Sequence, residues 1–179
     1  MPEATPLKLW AGAAALALAS GISGAAAAAS LTLQFTLPEM RAASYYRPYV
    51  AAWVEKPGDK EVAAPLAVWY DVRLRDGLGK NWLHRLRTWW RIGGQQLALP
   101  VDGVSGATRP AGTHTLQFSD GKGALAQLPP GRYQLAVEVV REQGEHELLR
   151  LPFEWRGAAN SAQAEGSKEL GKVSVTVSD

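Results

Sequence analysis

The residues best suited to chemistry form one short string, residues 102–108, with the sequence Asp-Gly-Val-Ser-Gly-Ala-Thr. It carries two hydroxyl groups, on Ser105 and Thr108, among residues with little or no side chain. A hydroxyl that attacks a phosphoanhydride needs an exposed, flexible presentation, and small neighbours leave room for a modifying enzyme to grip the backbone. The alternative interpretation is a tight connection between strands, in which Asp102 and Ser105 bond to nearby backbone amides.

This string resembles the site at which periplasmic FMN transferases attach flavin mononucleotide to a threonine through a phosphoester, in patterns of the type Asp-Gly-x-Ser/Thr-Gly-Ala-Thr. The resemblance implies that Thr108 is the acceptor and that covalent FMN is the cofactor. It also implies that Asp102 orients the loop or binds the metal ion of the transferase. The other residues of the implied cofactor site are Gly103, Ser105, Gly106 and Ala107.

A second candidate site is the tryptophan–arginine segment, residues 80–91, in which four basic residues and no acidic residue are interleaved with three tryptophans. Its apolar residues recur at spacings of three and four, which predicts one short helix ended by Gly93 and Gly94. Such a surface could stack a planar isoalloxazine ring or dock an anionic partner. Its candidate partner-binding residues are Trp82, Arg87, Trp89, Trp90 and Arg91.

The alternative for this segment is structural: Trp82, Leu86 and Trp89 plug one end of the domain while the arginines point into water.

The sequence shows no other catalytic grouping. The three histidines, His84, His114 and His146, are far apart and outside His-x-x-x-His or Glu-x-x-His spacing, so no metal site is predicted. Ser105 lies in Val-Ser-Gly, which lacks the Gly-x-Ser-x-Gly elbow, and no paired carboxylates stand out for acid–base chemistry. We therefore expect the protein not to be an enzyme.

The elements that must position these candidates are strands. Apolar residues alternate with polar ones from Ser30 to Leu37, the period of a half-buried strand. Further strands are predicted at residues 48–55, 65–72, 97–101, 112–116, 133–139, 149–153 and 173–177, with 65–72 as a central strand covered on both faces. Residues 157–168, small and polar, predict a flexible loop. The expected fold is mainly β: an immunoglobulin-like antiparallel β-sandwich with one short helix.

The N-terminal sequence is typical of an export signal. Lys8 precedes an apolar run of 11 residues and then small residues up to Ala29. The run is too short to span a bilayer, which takes roughly 20 residues, so a signal peptide over residues 1–28 is predicted, with cleavage between Ala25 and Ser30. The alternatives are an alanine-rich linker or an uncleaved anchor. A single domain, residues 29–179, and a periplasmic location are expected.

Composition narrows the function further. The chain has no cysteine, which excludes disulfides, thiolate metal sites and cysteine nucleophiles. Its net charge of +2 does not indicate nucleic-acid binding.

A wider resemblance covers nearly the whole mature chain. It rests on Tyr-Arg-Pro-Tyr-Val-Ala-Ala-Trp-Val-Glu (46–55), Trp-Trp-Arg (89–91), Val-Ser-Gly-Ala-Thr-Arg-Pro-Ala-Gly (104–112) and Leu-Gly-Lys-Val-Ser-Val (170–175). These pieces resemble the predicted periplasmic family called domain of unknown function 2271, or DUF2271. Its members tend to be encoded with FMN transferases and with PepSY-type membrane proteins linked to iron uptake and transmembrane electron transfer, which implies both as partners.

The resemblance implies a periplasmic accessory or electron-carrier protein of a flavin-dependent transmembrane redox system, linked to iron acquisition. The alternative is a non-catalytic immunoglobulin-like adaptor that docks a membrane partner through the tryptophan–arginine segment. The Pro-Ala-Gly and Pro-Pro-Gly-Arg-Tyr pieces also look like the immunoglobulin-like domain of flagellar hook-capping proteins, which supports the sandwich but no function.

Overall fold

The computed structural model describes residues 28–40, 45–59 and 61–178. The predicted signal peptide, apart from its last residue, lies outside this part of the chain. Within the described ranges, no helix is long and apolar enough to cross a membrane.

Strands dominate the described residues and form two sheets. Their bounds are β1 Ser30–Leu37, β2 Tyr49–Glu55, β3 Ala64–Tyr70, β4 Ser105–Ala107, β5 Gly112–Ser119, β6 Gly131–Val140, β7 His146–Trp155, β8 Asn160–Glu165 and β9 Lys172–Ser178. The first sheet has the order β5-β1-β9-β8 and the second the order β4-β3-β2-β6-β7. All pairs are antiparallel except β3 with β4. The predicted β-sandwich is confirmed, with one parallel pair at the edge of its second sheet.

The core between the sheets follows from the alternation of the strands. Leu31, Leu33 and Phe35 of β1 are fully buried and lie in one apolar cluster with the alternate valines of β9 and residues of β2, β3, β6 and β7. Side chains two residues apart share a sheet face, so each of these strands gives one row to the core. In the predicted hairpin of β6 and β7, Tyr133 pairs with Phe153, and their ring centroids lie 5.9 Å apart.

The second sheet is also covered on its outer face. A second apolar cluster places Leu83, Leu86 and Trp89 with Trp53 of β2 and Val68 of β3. All five side chains are buried. The prediction that β3 is a central strand covered on both faces is therefore confirmed.

The prediction of one helix over residues 80–91 is wrong, because the chain forms two helical pieces. A 3₁₀ segment spans Arg75–Arg85 and is interrupted by a kink at Asp76 and Gly77, whose φ angles are +55° and +69°. An α-helix, α1, spans Arg87–Ile92, and Leu86 before it is outside helical geometry. The buried residues 83, 86 and 89 recur every three residues, the period of a 3₁₀ helix, so the apolar spacing does not favour a continuous α-helix. These residues cover the outer face of the second sheet and do not plug an end of the sandwich.

The predicted strand at residues 97–101 is absent from the structure, in which a short 3₁₀ turn, Gly94–Gln96, leads into irregular chain. Leu97, Leu99 and Val101 are half-buried and pack on the outer cluster. The alternation of these three residues thus reflects their contact with the outer cluster and not pairing in a strand. Pro100 has no N–H to donate to a ladder, and the free edge of β3 is occupied by β4.

The predicted flexible loop at residues 157–168 contains an edge strand, β8, which pairs with β9. The Asn160 amide anchors its start by donating to the carbonyl oxygens of Glu154 and Ala158 at 2.9 and 2.8 Å. Ala162 and Ala164 pack against the core. Small polar residues give little strand signal, so this pairing depends on the open edge of β9.

Candidate functional site

Residues 102–108 form a turn followed by a strand, so the expected flexible presentation is wrong for most of the string. The backbone N–H of Ser105 donates to the Val101 carbonyl at 2.8 Å, and the Val101 N–H donates to Ser105 Oγ at 2.9 Å. Gly103 takes a φ of +72°, a conformation that glycine adopts without strain. Ser105 thus has the bonding role of the alternative interpretation. Asp102 is exposed and its carboxylate has no hydrogen-bond partner among the described residues.

The strand β4 fixes the backbone up to Thr108. It runs parallel to β3, with Gly106 opposite Trp69. A Cβ atom on Gly106 would lie 3.1 Å from Cδ1 of that indole, so a larger residue would require the indole or the strand to shift by a few tenths of an ångström. The backbone N–H of Thr108 then donates to the Tyr70 carbonyl at 3.2 Å.

The chain after Thr108 is anchored as well. The Arg109 guanidinium lies 4.2 Å from the centroid of the Trp69 ring, a cation–π contact. The His114 ring meets the same indole edge-on at 5.3 Å, and its Nε2 is 2.9 Å from the Pro110 carbonyl oxygen. Thr108 is therefore held between two fixed segments.

The side chain of Thr108 is available for reaction. It is half-buried, and its hydroxyl forms no hydrogen bond within the part of the chain that the structure describes. Thr108 and Ala107 lie on the wall of a cavity of about 290 Å³. The site thus combines a hydrogen-bonded backbone with a hydroxyl that has no described partner, beside a partly open cavity.

The Thr108 cavity, as we call it, is lined mainly by aromatic and basic side chains. Its aromatic residues are Tyr45, Tyr46, Tyr49 and Trp82, and its basic residues are Arg47, Arg73, Arg85 and Arg141. Asp71 and Glu142 are its acidic residues. Trp82 comes from the tryptophan–arginine segment, so the fold brings a member of each sequence-predicted site into one cavity. Arg85 comes from the same segment. The three tyrosines and the other three arginines, Arg47, Arg73 and Arg141, lie outside both predicted sites, because they are scattered over separate segments.

Several of these side chains are held in place. The Tyr49 hydroxyl donates to the Gly79 carbonyl at 3.1 Å, and burial raises the pKa of this phenol above its usual range. Burial also raises the pKa of Tyr45, against the opposing effect of the Arg141 guanidinium. That guanidinium lies 5.9 Å from the Tyr45 ring, and Arg85 lies 5.0 Å from the Trp82 ring.

A buried ion pair supports the wall of the Thr108 cavity at Arg141. The Arg141 Nε and one terminal nitrogen of its guanidinium donate to the two carboxylate oxygens of Glu169 at 3.0 and 3.1 Å. Glu169 also accepts the backbone N–H of Glu145 at 2.8 Å. This bidentate geometry orients the guanidinium, because two parallel bonds fix the plane of the group.

Only some of the predicted partner-binding residues are accessible. Trp89 is buried under the outer layer and Trp90 is half-buried, whereas Arg87 and Arg91 are exposed. None of these four lines the Thr108 cavity, in contrast to Trp82, which is 42 % exposed. Trp89 therefore stabilises the covering layer and cannot touch a partner directly.

A buried carboxyl group that the sequence did not reveal caps helix α1. Glu138 of β6 is fully buried and accepts the backbone N–H groups of Thr88 and Trp89 at 2.9 and 2.7 Å. Its other contact is with His146 Nε2, at 2.5 Å. The first N–H groups of a helix have no partner inside it, so this carboxyl ties the outer layer to the sheet.

A second carboxylate holds the loop that leads to Glu169. Glu147 accepts four consecutive backbone N–H groups, those of residues 167–170, at 2.7 to 3.0 Å. Burial by itself would raise the pKa of Glu147, but these four donors outweigh it and lower the pKa below its usual range. The carboxylate form is therefore the one that the folded protein stabilises.

We expect Glu147→Gln to lower the free energy of unfolding by about 1–2 kcal/mol at about pH 7. Because the folded-state pKa is lowered, this contribution is fully present above the pKa of the unfolded chain, about 4.3, and is lost as the pH falls through the folded-state pKa. Urea unfolding at about pH 7 and about pH 3 tests this. A difference between variant and wild type that stays constant with pH would contradict it.

Within the described residues, no three histidine or acidic side chains come together in a way that could hold a metal ion.

A family model described as "Predicted periplasmic protein (DUF2271)" matches residues 30–172. The matched range runs from the first residue of β1 to the first residue of β9 and includes both candidate segments. No curated protein and no solved structure matches the chain.

Proposed function

The chain belongs to DUF2271, a family of predicted periplasmic proteins, and we propose that it carries electrons in the periplasm through an FMN joined to Thr108 by a phosphoester. The observation behind this proposal is the position of the Thr108 side chain. It carries a hydroxyl with no hydrogen bond to a described residue, on a fixed backbone, beside an aromatic and basic cavity.

The attachment step balances as a phosphoryl transfer from FAD. The Thr108 oxygen attacks the phosphorus on the FMN side of the phosphoanhydride, and a new P–O bond forms as the bond to AMP breaks. The hydroxyl proton leaves, and AMP departs with the electron pair of the broken bond. The FMN transferase supplies the catalytic groups, so this chain needs only to present the acceptor.

The Thr108 cavity has the chemistry to receive part of such a cofactor. Tyr45, Tyr46 and Trp82 offer faces for a planar ring system, which aromatic side chains stack against. Arg47 and Arg73 offer charge to a phosphate group. The volume of about 290 Å³ lies at the lower end of the roughly 300–1,000 Å³ of ligand pockets, which suits a ring held inside and a tether outside.

A bound flavin would supply reversible electron transfer, and the protein would act as a carrier without being an enzyme. Its proposed partners are the FMN transferase, which loads it, and a PepSY-type membrane redox protein, which exchanges electrons with it. Reductive release of iron during iron acquisition is the process that we propose this exchange serves.

The test is the intact mass of the protein after co-expression with a periplasmic FMN transferase. We expect a mass increase equal to FMN less one water, together with the yellow absorbance of a flavin that survives denaturation. The matched control is the same chain expressed without the transferase, which should keep its unmodified mass. An unmodified, colourless protein from the co-expression would refute the proposal.

A further inference from the structure

The surface around the mouth of the Thr108 cavity is unusually apolar. Among the described residues, the exposed large apolar and aromatic side chains are Tyr45, Tyr46, Val72, Leu74, Leu78 and Trp82. Four of the six line the Thr108 cavity, and Val72 and Leu78 belong to the same segment as Leu74 and Trp82. Exposed apolar groups gathered in one place mark a contact surface, because scattered single residues are the ordinary case.

The segment that carries Val72, Leu74, Leu78 and Trp82 also concentrates positive charge. Residues 72–91 contain six basic residues and one acidic residue, a net charge of +5, whereas the whole chain carries +2. The rest of the chain is therefore net negative, at −3. All six basic residues are exposed, and none forms an ion pair with a described acidic side chain.

The exposed apolar residues sit on a fixed segment. Gly79 packs so closely on Asp71 that a Cβ atom there would lie 1.9 Å from the Asp71 carbonyl oxygen. The Lys80 ammonium donates to the Leu99 carbonyl at 2.5 Å, and Leu83 is buried in the outer cluster. The fold thus holds Leu74, Leu78 and Trp82 outward while their neighbours are anchored.

We propose that a basic apolar surface, formed by the exposed side chains of residues 45–46 and 72–91, binds an anionic phospholipid membrane. Leucine and valine side chains would enter the boundary of the acyl chains, and tryptophan and tyrosine rings suit the headgroup level. The unpaired arginines meet lipid phosphates of opposite charge, which strengthens binding with each basic residue near the surface. This proposal stands independently of flavin attachment.

Binding in this orientation turns the mouth of the Thr108 cavity toward the bilayer. Tyr45, Tyr46, Leu74 and Trp82 belong to both the cavity and the apolar surface. A group held in the Thr108 cavity would therefore lie close to membrane-embedded partners.

The test is co-sedimentation of the exported protein with protein-free vesicles of phosphatidylglycerol or phosphatidylcholine. We expect binding to phosphatidylglycerol to be at least tenfold tighter at about 0.05 M salt and to weaken strongly at about 0.5 M salt. Arg73→Gln/Arg75→Gln should weaken it about tenfold or more, and Leu74→Ser/Leu78→Ser should do so as well.

A matched control removes the same charge from the far end of the sandwich. In the control variant Lys122→Gln/Arg132→Gln, Lys122 precedes β6 and Arg132 is the second residue of β6, whereas the other end of this strand, Val140, lines the Thr108 cavity. This control should bind phosphatidylglycerol vesicles as the wild type does, and far-ultraviolet circular dichroism should show that all variants keep the strand signal.

Three results would overturn the proposal. The first is equal binding to both lipids, and the second is an equal loss in the control and Arg73/Arg75 variants. The third is binding only to vesicles that contain native membrane proteins, which would assign the surface to a protein partner.

Discussion

Thr108→Val is expected to abolish flavin attachment completely while leaving the fold intact. Valine keeps the branched shape of threonine but replaces the attacking hydroxyl with a methyl group. The backbone N–H of Thr108, which donates to the Tyr70 carbonyl, is unchanged. The lost hydroxyl makes no hydrogen bond to a described residue, so the free energy of unfolding should change by no more than about 0.5 kcal/mol.

The measurement is again intact mass after co-expression with an FMN transferase. Thr176→Ala is the matched control, because Thr176 is exposed on β9 in the other sheet and its hydroxyl has no described partner. It should be fully modified. Flavin retained on Thr108→Val would contradict the assignment, and peptide mapping would then show whether Ser105 carries it.

Glu138→Gln is expected to lower the free energy of unfolding by about 3 kcal/mol, the largest stability effect that we predict for a charged or polar group here. The amide has nearly the shape of the carboxyl but only one acceptor oxygen. It would turn an NH₂ group toward Thr88 N–H, Trp89 N–H or His146. One buried donor would then lose its partner, and the layer over the second sheet would be detached at the start of α1.

Urea unfolding monitored by tryptophan fluorescence provides the test, since Trp89 lies in the layer that Glu138 holds and shares an apolar cluster with Trp53 of β2. Glu165→Gln is the control, because Glu165 is exposed on the edge strand β8. Its effect should stay within about 0.5 kcal/mol. If Glu138→Gln were as stable as the control, the carboxyl would not be what fastens α1.

Most strands were predictable because the apolar residues of a strand show directly which of its faces are buried. β1 and β9 each alternate between an apolar and a polar face, and this period is independent of the partner strand. β2 is instead a nearly continuous apolar run that is buried on both faces. The predictions were wrong where a segment's partner determined its structure. β8 exists because β9 has an edge to pair, and residues 97–101 stay irregular because β4 occupies the edge of β3.

The helical region is a second example. The apolar spacing of residues 80–91 showed that one side is buried, but the same residues fit an α-helix and a 3₁₀ helix followed by an α-helix. The fold selects the second arrangement, in which Leu83, Leu86 and Trp89 all reach the sheet and Glu138 caps α1. In the sequence, Glu138 cannot be distinguished from other glutamates in strands, because the backbone N–H groups that it accepts belong to residues 50 and 49 positions away, Thr88 and Trp89.

By itself, the sequence determined the sandwich, its main strands, the family resemblance and the candidate string that ends at Thr108. These properties are local, since alternation, small residues and hydroxyl groups are present in consecutive residues. Only the tertiary structure decided that the string is a strand with a fixed threonine, and that Trp82 shares the Thr108 cavity with three tyrosines and four arginines. The lining of that cavity comes from segments next to β2, β3, β4 and β6, which meet only when the second sheet forms, and no periodicity along the chain encodes such a meeting.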